Sequence, residues 1–435
     1  MLMRRSIPSH SRFWISLLSV PLALLLLLLA ACSSTAGTGS GGGTNSPGGS
    51  SSGSSTATTG STGSTGSGST SSSTPVVTAP QHAFAWSQLD HASTPTPQIW
   101  ASINGGTPRQ ITHLSPITSG CDTEGVWGLP VFSPGLTHIV ASIGSANCGD
   151  GPLQGPVDII DAASGAISAI PTNNAIDLSS ERTDGWVDNN TVFFVNSSGL
   201  YTYALGAGSP VLVSALASPW EAVLRGSTLF WMQMSYSSST NNWTTSLHRF
   251  DMSTHAALSG SISLGQVHEC ACSPGDFHLQ GWDVSPDGSH IVYQVTTPLT
   301  GNDFGIASSH IYYANADGSG VTQIARYMST NQPVRLQISP NGQLVAFTDA
   351  PPTPSVLTAS VSSLGDAGDP AFHHYSPDAG GYPVWKWDNS SFWASNRDND
   401  SVSGPGTAIY YYTVGSSSST VGVNNGFNPW YTIAG

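Results

Sequence analysis

The sequence predicts an all-β fold of short, repeated hairpins, and three observations predict it. The segments Trp282-Asp-Val-Ser-Pro-Asp-Gly-Ser-His-Ile-Val-Tyr293 and Leu336-Gln-Ile-Ser-Pro-Asn-Gly-Gln-Leu-Val-Ala-Phe347 repeat one pattern of apolar strand, Ser-Pro-Asp/Asn-Gly turn and apolar strand. Proline fixes φ and Asp/Asn-Gly supplies the positive φ of a tight hairpin. A third copy, Val131-Phe-Ser-Pro-Gly-Leu-Thr-His-Ile-Val-Ala141, reads as lacking only the acidic turn residue. Further along each repeat comes a second hairpin, as in His310-Ile-Tyr-Tyr-Ala-Asn-Ala-Asp-Gly-Ser-Gly-Val-Thr-Gln-Ile324 and Val157-Asp-Ile-Ile-Asp-Ala-Ala-Ser-Gly-Ala-Ile167. Each unit therefore holds four short strands.

The repeats are preceded by two segments of different character. Arg4, Arg5 and Arg12 lead into an apolar run, Phe13 to Ala31, in the order of a secretory signal over residues 1–31. Leu29-Ala30-Ala31-Cys32 resembles the lipobox of bacterial lipoproteins, and that resemblance implies a diacylglycerol on the Cys32 sulfur. A plain membrane anchor, or a cleaved leader with an incidental cysteine, is the blander alternative. From Ser33 to about residue 80 the chain is almost wholly Ser, Gly and Thr, with no charge and no aromatic ring. Such a stretch cannot bury a core and reads as a flexible tether, about 40 Å in typical span.

Residues 81–435 remain for the repeat domain. Removing the three leader arginines leaves eight of the 11 basic residues beside 25 acidic ones, and Lys386 is the one lysine in the chain. So acidic a surface argues against nucleic acid or anionic lipid as partners. The low total charge also fits an acidic exterior in which carboxylates lose charge.

Cysteine usage agrees with export. Cys121, Cys148, Cys270 and Cys272 remain besides Cys32, an even count that suggests two bridges in an oxidising compartment. The simplest pairing is Cys121 with Cys148 and Cys270 with Cys272, although three pairings are open and the second ring would be strained. His268-Glu-Cys-Ala-Cys272 offers metal-competent ligands, but a single short cluster is a poor zinc site. Asp398-Asn-Asp-Ser401 lacks the glycine and distal glutamate of an EF-hand, and His373-His374 reads, with Tyr375 and Asp378, as a solvated loop before the last repeat. No metal and no cofactor is expected.

Gln98-Ile-Trp-Ala-Ser-Ile-Asn-Gly-Gly-Thr-Pro-Arg-Gln-Ile-Thr112 and the Ser-Pro-Asp-Gly hairpins together resemble the TolB-type repeat, also found in the non-catalytic domain of prolyl oligopeptidase relatives. That resemblance implies a single β-propeller. Inner hairpins fall near residues 131–141, 186–195, 222–232, 282–293, 336–347 and 384–394, with Asp188-Asn-Asn190, Arg225-Gly226 and Asp388-Asn-Ser390 in place of the usual turn. The stretch Ala83–Asp90 reads as a second strand whose inner partner is supplied by Asn428–Ala434. Closure of that kind gives seven four-stranded blades and removes the open sheet edges, with six blades as the alternative.

Function must be read from sites, because propellers bind, scaffold and catalyse alike. The sequence ends at Gly435 directly after the last strand, and no Gly-x-Ser-x-Gly follows the repeats, so an appended serine hydrolase is not expected. Glu124, Asp184, Glu221 and Asp283, at or beside inner strands, are the weak catalytic candidates, with Arg335 as a charge partner. Two such carboxylates could share acid and base roles in cleaving a polysaccharide, as hydrolase or lyase. The stronger reading of an acid at a strand start is a capped turn or solvent. Trp127, Trp186, Trp220, Trp282, Trp385, Trp387 and Trp430 recur near inner strands and suit wedges between blades, a few of them stacking on a ligand. The sequence thus points to a monomeric, lipid-anchored module in the cell envelope, facing outside the cytoplasm, that binds or scaffolds a protein, peptide or glycan. A propeller enzyme is the alternative.

Overall fold

A computed structural model describes residues 80–90, 96–115, 123–146, 154–155, 157–171, 176–177, 182, 184–268, 281–299, 306–327, 334–349, 356–361, 372–377, 379, 381–396 and 407–434. Cys32, the four other cysteines, Asp378 and Asp398–Ser401 lie outside the described residues. All the regular structure described is β, with no helix.

Among the described residues the strands form four four-stranded sheets, one six-stranded sheet and one eight-stranded sheet. The last joins two groups of four through the parallel pair Gly265 and Thr296, and in chain order the strands divide into groups of four, or units. The first unit holds β1 (His82–Leu89), β2 (Pro97–Ile103) and β3 (Arg109–Gln110). The second holds β4 (Thr123–Phe132), β5 (His138–Ala146), β7 (Val157–Asp161) and β8 (Ile167–Ala169), with the two-residue strands β6 (Gln154–Gly155) and β9 (Ile176–Asp177) added beside β5. In the third are β10 (Asp184–Trp186), β11 (Thr191–Asn196), β12 (Gly199–Ala204) and β13 (Val211–Ser214). The fourth comprises β14 (Pro219–Arg225), β15 (Thr228–Ser237), β16 (Asn242–Asp251) and β17 (Ala256–His268). Next come β18 (Trp282–Val284), β19 (His290–Pro298), β20 (Ile306–Asn315) and β21 (Thr322–Tyr327). The sixth unit is β22 (Val334–Ile338), β23 (Leu344–Asp349), β24 (Val356–Ser360) and β25 (His373–Tyr375). The seventh is β26 (Val384–Trp385), β27 (Ser391–Ser395), β28 (Ala408–Thr413) and β29 (Ser419–Asn424). The last strand, β30 (Gly426–Ile433), returns to the first unit and pairs antiparallel with β1, with Ala83 opposite Thr432 and Phe84 opposite Tyr431.

Period-two alternation explains how these sheets stack. On β11, Val192 and Phe194 pack toward the second unit, whereas Phe193 and Val195 pack toward the fourth. On β23, Val345 and Phe347 join the core shared with the fifth unit, while Ala346 faces the seventh. Each middle sheet thus buries both faces, and six apolar cores lie between consecutive units. The outermost strands face solvent: β8 is exposed throughout, and β29 nearly so. Sheets stacked face to face in chain order, apolar within and polar at the rim, are the architecture of a β-propeller.

The hairpin turns are built as the residues require, with one departure. Gly288 and Gly342 adopt φ of 72° and 70°, and their N–H groups donate to the carbonyls of Ser285 and Ser339, each at 2.8 Å. In the third copy the left-handed residue is Leu136 (φ 58°) and not Gly135. That copy therefore differs from the other two by more than its acidic residue. A left-handed leucine costs about 1–2 kcal/mol, and burial of Leu136 in the core between the first two units works against that cost.

Several turns share an Asp-x-Ser device. At Asp251, Asp317 and Asp388 the backbone N–H and the hydroxyl of the serine two residues on both donate to one carboxylate oxygen, at 2.6–3.0 Å. Hydrogen bonds from the Ser285 and Ser289 hydroxyls lower the pKa of Asp287 to about 2. The serine hydroxyls also lower Asp251 and Asp317, and the Ser164 N–H lowers Asp161. A carboxylate whose pKa falls on folding stabilises the fold above its unfolded value and loses that contribution as pH drops through the folded value. The melting temperature should therefore hold from neutrality to about pH 4 and fall below it as these turns protonate. A decline that begins above pH 5 in a melting series would overturn this expectation.

Candidate functional site

The innermost strands converge on one polar cluster. Arg182 precedes β10, and its carbonyl accepts the Ala222 N–H of β14 at 2.7 Å, which fixes the loop against the neighbouring unit. Its guanidinium then reaches inward. Nη2 donates to Glu221 Oε2 at 2.9 Å and to the Trp282 carbonyl at 2.7 Å, while Nη1 stands 3.6 Å from Asp283 Oδ1. The cation lies 4.4 Å from the Trp282 ring centroid and 5.2 Å from that of Tyr382, just ahead of β26. The Tyr382 hydroxyl donates to the other Glu221 oxygen at 3.3 Å. Four inner segments, from the third, fourth, fifth and seventh units, are thus tied by one arginine.

Asp283 is the second node. Its Oδ2 accepts the Ile338 N–H of β22 at 3.0 Å, linking the fifth unit to the sixth. Its Oδ1 faces Arg182 and, at 3.7 Å, Nη2 of Arg225, the last residue of β14. Burial raises the Asp283 pKa against the pull of both arginines. Burial likewise opposes the Arg182 cation, but Glu221, Tyr382 and Asp283 outweigh it and hold that pKa above the ordinary arginine value.

Beside this cluster lies a cavity of about 340 Å³. Its wall takes residues from β4, β10, β14, β18, β22, β26 and β30, one innermost strand from each unit, and from the Pro134, Pro286 and Pro340 turns. Arg182, Arg225 and Asp283 line it, whereas Glu221, Arg335 and Tyr382 do not. The ionic layer therefore forms the inner end of a cavity lying toward the Ser-Pro turns.

Of the sequence candidates, the structure brings Glu221 and Asp283 together around Arg182, each carboxylate engaged by a cation and a second donor. Glu124 and Asp184 fall on β4 and β10, and their side chains lie outside the described residues. Arg335, expected as a charge partner, places its guanidinium 5.5 Å from the Tyr382 ring centroid. Among the described residues, Arg182 and Arg225 are the cations that face Glu221 and Asp283. Sequence reasoning passed over them, although they are two of eight basic residues beyond the leader and flank inner strands.

The tryptophans divide as wedges and wall. Trp282 is fully buried, and Trp186 and Trp385 sit at the ends of inner strands. Their indole N–H groups donate to the Val131 and Gln337 carbonyls of the preceding units at 2.9 and 3.0 Å. Trp385 and the partly exposed Trp430 also line the cavity. Trp220 packs on the core between the fourth and fifth units. Trp387 is partly buried, and the Trp127 side chain lies outside the described residues. His373 and His374, expected in a loop, instead form β25 at the outer edge of the sixth unit, where they pair with Thr358 and Leu357 of β24.

No protein-family model matches the chain, and no curated protein sequence does. Solved structures of similar shape include an Agrobacterium tumefaciens protein designated TolB, at 12% identity over 78% of this chain and 100% of that one, with a TM-score of 0.40. Another is an oligogalacturonate lyase in complex with manganese, at 11% identity over 72% of this chain and 86% of that one, TM-score 0.43. A third is the β-propeller domain of the Trilobed protease from Pyrococcus furiosus, at 10% identity over 68% and 83%, TM-score 0.41. Likenesses this distant carry no argument about activity. The fold assignment rests on the sheet topology.

Proposed function

We propose that residues 81–435 form a closed, seven-bladed propeller of TolB type that works outside the cytoplasm as a binding or scaffold module. Its ligand, a protein, peptide or glycan, enters the central cavity. One observation carries this reading: a single cavity takes its wall from the innermost strand of every four-stranded unit. The seam between the last unit and the first supports closure, because Trp393 of β27 stacks on Phe84 of β1 at 4.6 Å and on Tyr431 of β30 at 5.7 Å. The six apolar cores between consecutive units and this seam are the contacts a closed ring requires. The acidic carboxylates favour binding over hydrolysis, since Glu221 is buried with both oxygens engaged.

The module is presented on a lipid at Cys32 and a tether over residues 33–80, with two disulfides among Cys121, Cys148, Cys270 and Cys272. Cys32→Ala should move the protein from the membrane fraction to the soluble one, which fractionation of cells measures directly. Equal membrane retention of both forms would remove the lipid from the proposal. For the cavity, pull-downs from intact cells should recover a partner with the native chain and lose it with Leu224→Trp, which fills the cavity from β14.

A second reading, an enzyme acting on polysaccharide, is favoured by Asp283, a cavity-lining carboxylate whose pKa is raised by burial. Release of reducing or unsaturated sugar ends by the purified domain, lost in Asp283→Asn, would select it.

A further inference from the structure

We propose that residues 76–79, Val-Val-Thr-Ala, dock in the mouth of the cavity as an apolar plug supplied by the chain itself; that the plug governs ligand entry rests on the cavity being the ligand site. Residues 76–79 lie outside the described residues, and the argument for where they dock comes from the rim they adjoin. In three units a Ser-Pro turn, holding Pro134, Pro286 or Pro340, carries the chain from the innermost strand to the next, and those prolines line the cavity. In the first unit the innermost strand is β30 and the second is β1, so no turn joins them. Both ends of this sheet therefore stand at the rim of turns, with the Ala434 N–H donating to the Gln81 carbonyl at 2.8 Å and His82 opposite Ile433. His82 Nδ1 lies 2.8 Å from the Pro80 carbonyl oxygen, and its ring stacks on that of Tyr431 at 5.3 Å. Pro80, the residue that follows the segment, is thus seated beside the cavity-lining end of β30.

The rim is apolar and open at this point. Ile433 lines the cavity and is 40% exposed. Among the described residues the other exposed large hydrophobics, Ile167, Val211, Leu212, Val321 and Val421, lie on outermost strands or just before one, so Ile433 is the exception on an innermost strand. Trp430, three residues earlier on β30, and Leu224 of β14 are partly exposed in the same wall. Covering such surface is favourable by about 25 cal/mol per Å². The sequence places a cover next to it. From Ser33 to Pro75 the chain carries no large apolar side chain, and Val76 and Val77 are the first. Val77 stands three residues before Pro80, a reach of about 10 Å in extended chain. That equals the rise of about 10 Å along β30 from Ile433 to Trp430. β-branched side chains and a following proline favour extended backbone, the form in which a segment enters a narrow mouth. The cavity volume, about 340 Å³, admits a few side chains.

Photocrosslinking in the full chain tests the docking. With benzoylphenylalanine in place of Val77, irradiation should join residue 77 to peptides of the same chain that carry Leu224 or Trp430 to Ile433, as mass spectrometry reads. The yield should fall about tenfold in Leu224→Trp, which fills the cavity, and when the probe replaces Ser64 of the tether instead. Melting curves establish that each variant is folded, and Ile433→Ser, at an exposed position, serves if Leu224→Trp does not fold. Links that fall elsewhere, join two chains or persist undiminished in the cavity variant overturn the docking and leave the ligand reading standing. Acetyl-Pro-Val-Val-Thr-Ala-Pro-amide, titrated calorimetrically, should bind the full chain carrying Val76→Ser and Val77→Ser about tenfold more tightly than the native chain, whose own segment competes. Equal affinity overturns the plug. Partner recovery in the pull-down that is the same for the native chain and the double serine variant, yet lost in Leu224→Trp, overturns the governing role alone. Recovery indifferent to Leu224→Trp, with the cavity crosslinks intact, overturns the ligand reading and leaves the docked segment standing.

Discussion

Arg182→Met should destabilise the repeat domain by about 3–5 kcal/mol, the range for breaking a buried ion pair by removing one partner. Arg182 and Glu221 have side chains only 5% and 4% exposed, so the abandoned carboxylate cannot recover its hydration. The same change strips a donor from the Trp282 carbonyl and a cation from Asp283. It therefore loosens the third, fourth, fifth and seventh units at once. Against a total stability on the order of 5–15 kcal/mol, that loss is large. The measurement is denaturant unfolding of the native chain, Arg182→Met, Glu221→Gln and the double variant. Glu221→Gln added to Arg182→Met should recover a part of the loss, because it removes the orphaned charge. Additive costs in the double variant would show that the pair is not coupled and that the cluster does not lock the ring.

Deleting Gly426–Gly435 should have a larger effect and abolish cooperative folding. β30 supplies the inner strand of the first unit, so its removal exposes the whole edge of β1 to solvent and to other chains. It also removes Tyr431 from the Trp393 stack, and with it buried Phe427 and Asn428. A control separates loss of the strand from loss of chain length. The Ala434 N–H donates to the Gln81 carbonyl at 2.8 Å, so the two ends of this sheet lie side by side. A circular permutant that joins β30 to β1 through a short loop, opened at the exposed Gly208 turn between β12 and β13, should fold and melt as one unit. A truncated chain that melts with native cooperativity would show that the ring does not need its last strand.

Much of the architecture was legible in local chemistry. The Ser-Pro-Asp/Asn-Gly turns announce themselves because proline and a left-handed glycine are required at fixed places, and the strands beside them alternate because both faces are buried. The degenerate turns were legible for the same reason: Gly226 and Asn389 carry φ of 57° and 61° where no Ser-Pro stands before them. Leu136 shows the limit. A residue of poor left-handed propensity holds the turn because the core between the first two units holds its side chain, and no local rule reveals that.

The candidate site was legible in half. Glu221 and Asp283 stood out as acids on inner strands, but their partners could not be read, because Arg182 lies 39 residues from Glu221 and 100 from Trp282. An arginine in a loop before a three-residue strand carries no periodic signal of its own. Arg335 looked equally suitable by position, and no local signal says that its guanidinium lies over Tyr382.

By itself the sequence determined the all-β class, the four-stranded repeat, the hairpin positions and the strand that pairs with β1, because turn chemistry and period-two alternation are local. The tertiary structure alone decided which arginine meets which acid and that one cavity draws on the innermost strands of successive units. Those are consequences of bringing distant strands to a common axis, where burial makes each charge answer to partners far away in the chain.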